Sequence, residues 1–223
     1  MTHRTLYPFA QKVAQLCQIL KISPERVMRR AGLPPDFVKH EGKGSTLEQF
    51  FALFDAVSAE AKREDLSLFV GKLYAHGPFV PAIFAFSCSQ NIEIGLARLA
   101  IFKPLLAPLR LDIQRHDDRV TLTFLSADPA IPMPKSMVMF ELVYFLECCR
   151  MFTAEHIIPL EIDLPQGMAA TPDERDFYGV SPKFAEHPAI HLTIKDATRP
   201  LISENAEILD NVLTDLNRQL AKK

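Results

Sequence analysis

The stretch LRLDIQRHDDRVTLTF, residues 109–124, is where the chain changes its period. Leu109, Leu111 and Ile113 alternate with Arg110, Asp112 and Gln114. Beyond Asp117-Asp118, Val120, Leu122 and Phe124 alternate with Thr121 and Thr123. Successive strand side chains point to opposite faces, so the pattern predicts a hairpin with one buried face and a turn at the paired aspartates.

Upstream of that hairpin the apolar spacing is helical. Val13, Leu16, Cys17 and Leu20 fall at i, i+3, i+4 and i+7, and Ser23-Pro24 reads as a cap and first turn for a second, shorter helix ended by Gly32. Ser45-x-x-Glu48 has the form of a capping box before Phe50, Phe51, Phe54, Val57 and Ala61. Asp65 can cap a further helix that stops at Gly77-Pro78. FVPAIFAFSC, residues 79–88, is apolar on every side and belongs in the interior. A helix from about Asn91, carrying Ile94, Leu96, Leu99 and Ala100, runs into Pro104 and Pro108, which are expected to break it.

Downstream, SMVMFELVYFLECCRMF returns to helix. PLEIDLP and AIHLTIK read as strands, DERDFYG as a turn or short helix, and Ser203 as the start of a final helix to Leu220. The order predicts an α+β fold, N-terminal helices followed by a small antiparallel sheet covered by helices. No repeat or linker divides it, so one domain spans 1–223. It comprises a helical part over about 5–107, a sheet-containing part over about 108–202 and a terminal helix over about 203–221.

A chain of 223 residues buries roughly 70% of its unfolded surface, enough for a core without staples. With 25 basic against 27 acidic side chains the net charge is −2, so no global field draws it to phosphate backbones or anionic lipid. Cys17, Cys88, Cys148 and Cys149 are too few and too irregular for a disulfide framework and are expected as reduced thiols in a cytosol. The start, MTHRTLYPFAQ, lacks the apolar segment of a signal peptide, and no run approaches the ~20 apolar residues of a membrane helix. A soluble, cytoplasmic protein without a membrane partner is expected.

Motifs for nucleotide or acyl chemistry are missing: there is no G-x-x-x-x-G-K-[ST], no G-x-G-x-x-G and no G-x-S-x-G. His187 and His191 straddle Pro188 and enter a strand pattern, which would separate them by ~13 Å along the chain, too far for one cation. Glu155-His156 reads as a solvated helix end, and Cys148-Cys149 as core packing rather than a metal or redox pair. No metal, no cofactor and no enzymatic activity are expected.

Binding is the remaining possibility. Phenylalanine is used sixteen times against four tyrosines and no tryptophan, and Phe79, Phe84, Phe86 and Phe102 cluster in sequence. They read either as ordinary core or as the wall of a cavity for an apolar or aromatic molecule. Glu141, Glu147 and Arg150 lie on the otherwise apolar helix 136–152. Glu147 and Arg150, at i and i+3, can form a surface ion pair, or Glu141 or Arg150 can orient a ligand inside an apolar cavity. The candidate ligand contacts are Phe79, Phe84, Phe86, Phe102, Phe140, Glu141, Tyr144 and Arg150. On the last helix Ile208, Leu209, Val212 and Leu216 serve either a partner subunit, as in a homodimer, or packing onto the sheet.

CQILKISPERVMRRAGL, residues 17–33, is the one candidate DNA-reading element. Cys17, Leu20, Ile22 and Val27 suit the packing positions of a helix-turn-helix, but Lys21 stands where glycine is usual, Arg30 where an apolar contact is expected, and Pro24 opens the would-be reading helix. Arg26, Arg29 and Arg30 face phosphates on one reading and water on the other.

The whole chain resembles the N-terminal effector-sensing, arabinose-binding-like domain of AraC-type transcriptional regulators. The likeness rests on Ala31-Gly32-Leu33 closing a helix pair, on Leu68 to Gly71 and then Gly77-Pro78, and on Ser89 to Leu96. It continues through the hairpin 109–124, the helix with Glu141, the strand Pro159 to Leu164, and the close DFYGVSPKFAEHPAIHLTIKDATRPL with Tyr178-Gly179, Phe184, Leu192 and Pro200-Leu201 in step. It extends over about residues 8–210. Such a resemblance implies a domain that binds a small effector and modulates DNA binding by a C-terminal helix-turn-helix domain, expected in the full-length protein and absent from this chain. The alternative is a standalone DNA-binding protein using residues 12–31.

Overall fold

Strands β1 (Leu109–Arg115) and β2 (Arg119–Ser126) form the expected hairpin in the computed structural model, which describes residues 6–39, 44–77 and 80–222. Leu111 stands opposite Phe124 and Ile113 opposite Leu122, so the apolar set shares one face. Strand β5 (Ala189–Thr193) continues the sheet antiparallel to β2 with Leu192 on Val120 and Ile190 on Leu122. Strand β3 (Glu161–Pro165) adds Ile162 beside Ile190. The order is β1-β2-β5-β3-β4, and the edge strand β4 (Lys183–Ala185), for which the sequence offers no alternating run, is parallel to β3. The α+β architecture is therefore as read, with one parallel pair at the edge of an antiparallel sheet.

Helices α1 (Ala10–Leu20) and α2 (Pro24–Arg30) meet at the predicted break. Ser23 Oγ accepts the Arg26 N–H at 3.2 Å, and Pro24, with no N–H to leave unpaired, takes the first turn. Lys21 ends α1 at φ 55°, ψ 40°, the left-handed conformation usually given to glycine. Helix α3 (Leu47–Ala61) starts one residue later than the capping box anticipated at Ser45. Thr46 Oγ1 accepts from the Gln49 N–H at 3.3 Å, and Gln49 Oε1 accepts from the Thr46 N–H at 2.9 Å. Ser45 is withdrawn from that role because it bridges Tyr7 in antiparallel fashion.

Helices α4 (Leu66–Ala75) and α5 (Pro81–Ser87) follow, and then α6 (Ile92–Leu106), which Asn91 caps through the Ile94 N–H at 2.9 Å. Of the two prolines expected to break it, Pro104 lies within the helix, which ends at Leu106, before Pro108. Proline removes one backbone bond close to the helix end, while buried Leu96, Leu99 and Phe102 hold α6 in place. Helix α7 (Lys135–Thr153) comes next, then α8 (Pro172–Tyr178). The strand read into AIHLTIK stops at Thr193, whose Oγ1 accepts the Asp196 N–H at 2.9 Å and opens the short α9 (Ile194–Ala197). Helix α10 (Ala206–Leu220) is capped by Asn205 rather than started by Ser203, whose hydroxyl donates to the Ser87 carbonyl at 2.8 Å. Of its apolar residues, Leu209 and Leu216 pack on the core and Ile208 is exposed.

Two hydrophobic clusters result. The larger joins the sheet to α5, α6, α7 and α10; the smaller gathers Val13, Cys17, Val27, Met28, Leu53 and Val70 from the first four helices. They meet where α4 crosses α7. A Cβ at Gly71 would lie 2.6 Å from Val143 Cγ1 and 2.9 Å from its Cβ, so only glycine allows this approach. Gly71→Ala is expected to lower stability by about 1–3 kcal/mol from overpacking, against a helix-propensity gain of about 1 kcal/mol. A urea midpoint shifted downward checks this; an upward shift would mean that α4 and α7 do not touch here.

Candidate functional site

The seam between the two clusters is hollow. An outer chamber of about 610 Å³ lies among α1, α3, α4, α7 and the start of α8, and a smaller recess of about 90 Å³ adjoins it. Phe9, Leu16, Phe54, Val70 and Phe140 line both. The outer volume falls within the roughly 300–1,000 Å³ of small-molecule pockets.

Its walls are aromatic for a local reason: Phe50 and Phe54 are one turn apart on α3, and Phe140 and Tyr144 one turn apart on α7, so each pair projects from one side of its helix. Phe9 stacks on Phe54 with ring centroids 5.0 Å apart and planes 3° from parallel, Phe54 meets Phe140 at 5.4 Å, and Phe140 stacks on Tyr144 at 5.4 Å. Most polar groups at the outer rim are engaged with one another. Ser136 donates to Asp55 at 2.6 Å, Arg63 is forked onto Asp65 at 2.9 and 2.7 Å, and Glu174 takes the Thr171 N–H at 2.7 Å and the Ser67 hydroxyl.

The recess has a charged floor. Lys103 Nζ donates to both carboxylate oxygens of Glu141, at 2.9 and 2.7 Å, with the two residues only 3% and 2% exposed. The ammonium also stands 4.8 Å from the Phe145 ring centroid. Taking both charges from water is costly, and the fork on one carboxylate with an aromatic face behind it is what makes burial tolerable. Lys12 also lines this recess. Burial, and secondarily the Lys103 charge, hold its ammonium below the usual lysine range. Tyr74 donates to the Lys12 carbonyl at 3.5 Å, and burial raises the Tyr144 hydroxyl well above its ordinary value, so both phenols stay neutral.

Of the candidate contacts read from sequence, Phe140, Glu141 and Tyr144 converge here. Phe86 and Phe102 are buried in the larger cluster, Phe84 packs against it, and none of the three lines either chamber. Phe79 lies outside the described residues. Arg150 points elsewhere: its guanidinium donates to the carbonyls of Ile157 and Phe177, both at 2.9 Å, and stacks 4.5 Å over the Phe177 ring. In place of the ion pair weighed between Glu147 and Arg150, Glu147 shares a hydrogen bond with His76 at 2.9 Å. Sequence reading missed Lys103 and Lys12. Lys103 is the single charge in IFKPLLAPL, residues 101–109, the same signal that marked Glu141; Lys12 carried none.

A second polar group sits on the sheet, where ligand atoms of Glu161, Asp163 and His191 lie within 4.8 Å of one another. Both imidazole nitrogens are occupied, by Asp163 at 2.8 Å and Thr121 at 3.0 Å, and Glu161 is paired with Lys183. This is a network of cross-strand pairs. All four cysteines are buried and free. Among the described residues, no helix is long and apolar enough to cross a membrane.

The model of the family described as the arabinose-binding domain of AraC transcription regulators, N-terminal, matches residues 22–201. Among solved structures, the chain is similar to the transcriptional regulator CdpR from Pseudomonas aeruginosa, with a TM-score of 0.59 at 13% identity. That likeness covers 98% of this chain and 66% of the other, so the chain spans just under two thirds of the neighbour's length. At this identity the likeness shows the fold alone. No curated protein matches the sequence.

Lys103→Met leaves the Glu141 carboxylate buried without its partner and is expected to cost about 3–5 kcal/mol, whereas Lys103→Met with Glu141→Leu recovers most of the loss. Urea unfolding of the two variants measures the difference. Burial pushes the Cys17 thiol up to about 11 and Cys149 to about 12. At pH 8 iodoacetamide should therefore label Cys17 about a hundredfold and Cys149 about a thousandfold more slowly in the folded than in the urea-unfolded chain, as peptide mass mapping would report.

Proposed function

The chain belongs to the N-terminal arabinose-binding-domain family of AraC transcription regulators, and on that premise we propose that it is the ligand-sensing part of such a regulator. A small effector occupies the aromatic cavity at the seam of the two clusters, and DNA is contacted by a separate C-terminal helix-turn-helix domain. The observation that carries this reading is the 610 Å³ chamber with its charged inner recess, built from α1, α3, α4 and α7 at once. A ligand touching all four helices has different affinity for arrangements in which they are closed or parted, which is what a sensor requires. No catalytic role is proposed.

The rival reading, duplex recognition by α1 and α2, has less support. Arg26 and Arg30 are paired with Glu60 at 2.6 and 2.9 Å, and Val27 and Met28 are fully buried, so α2 is committed to the smaller cluster. Only Arg29 of the three arginines has no such partner among the described residues.

Thermal and urea unfolding across a panel of small metabolites tests the proposal. A ligand at about 100 times its Kd should add about 2.7 kcal/mol, and Phe140→Ala should abolish that gain while the variant remains folded. Silence across sugars, organic acids, amines and aromatic compounds counts against a sensing role.

A further inference from the structure

We propose that the effector is an amphipathic monocarboxylate, its carboxylate seated in the inner recess between Lys12 and Lys103 and its apolar body lying along Phe9, Phe54 and Phe140. The inference deepens the sensing role and rests on it.

Charge in the recess does not balance. Two ammonium groups, Lys12 and Lys103, and one carboxylate, Glu141, line it. Glu141 spends both oxygens on Lys103. Lys12 is half-buried, and among the described residues no side chain is paired with its ammonium. Tyr74 uses only its backbone carbonyl. The two lysines are close enough for the charge of one to depress the protonation of the other. One positive charge is left over in an apolar surrounding, where an opposite charge is stabilised far more than in water. A monoanion neutralises it; a cation would add a third positive charge, and a dianion would overshoot.

The remaining volume sets the rest of the molecule. The recess of about 90 Å³ suits a compact head group, while the 610 Å³ chamber suits a hydrocarbon or aryl body of drug-like size. A sugar fits poorly. Its hydroxyls would face stacked phenyl rings, and the rim groups that could bond them are engaged with one another through Ser136 and Asp55, Arg63 and Asp65, and Ser67 and Glu174. Hydroxyls buried without partners cost about 1–3 kcal/mol each.

Isothermal titration with matched probes tests the assignment: decanoate and 4-phenylbutyrate against their primary amides, with arabinose as a polyol. The acids are expected to bind at least tenfold more tightly than the amides. Lys12→Met, which keeps the stem and removes the charge, should erase that preference and leave amide affinity within about twofold. An unchanged melting temperature would show that the variant is folded; should it melt early, Lys12→Gln replaces it. Equal binding of acids and amides, or acid preference that survives Lys12→Met, overturns the monocarboxylate assignment and leaves sensing intact. Arabinose binding without acid binding does the same. If neither the acids, the amides nor arabinose bind, the assignment falls, and silence across the wider metabolite panel then removes the sensing role as well.

Discussion

Helix α7 is constrained on three sides, and the position of everything else follows from that. Phe145 packs edge-on against Phe124 of the sheet at 5.2 Å, Val143 presses on the backbone of α4 at Gly71, and Phe140 and Tyr144 turn toward α1 and α3. A helix apolar all round must find partners all round, and these nineteen residues find a sheet, a helix and a cavity. Because the first two contacts are close-packed, the third is left where the two clusters cannot interlock. The hollow is a by-product of fitting a four-helix layer onto a helix already docked to a sheet.

Glu141 gives that hollow a charged lining. A carboxylate at 2% exposure on such a helix needs a cation, and Lys103 on α6 supplies it through two short bonds. The pair therefore ties α6 to α7 as well as giving the recess its chemistry. Helix α6 also packs along β1, so the residue that pairs with Glu141 belongs to the element that leads directly into the sheet. Ligand-dependent coupling between elements needs two arrangements with unequal ligand affinity, and the proposed sensing role places that choice at the hollow boundary between the clusters.

Much of the fold was legible because its signals are local. The alternation through Leu109 to Phe124, the Ser23-Pro24 start and the Asn91 cap each follow from chemistry within four residues. Errors came where a distant partner decided the matter. Ser45 and Thr46 are both hydroxyl residues with a polar side chain three positions on, and only the bridge from Tyr7 selects Thr46 as the cap. Strand β4 exists because β3 offers an edge, and Pro104 is tolerated because its helix is buried. The site divides in the same way. A lone charge on an apolar helix pointed to Glu141 and its neighbours Phe140 and Tyr144, but counting phenylalanines could not separate Phe54, which lines the chamber, from Phe86 and Phe102, which fill the core. Lys12 sits in an ordinary amphipathic helix, and only tertiary packing brings it to the same recess as Lys103.

The ring-on-ring lining of the outer chamber has a corollary. Phe9, Phe54 and Phe140 touch one another and neighbouring rings, Phe140 also meeting Tyr74 of α4, and none belongs to the strand register. Exchanging one such ring for a smaller or branched group reshapes the hollow while leaving the strand register untouched. Under the proposed sensing role, the size of the accepted compound is set by these three rings and can change independently of the sheet.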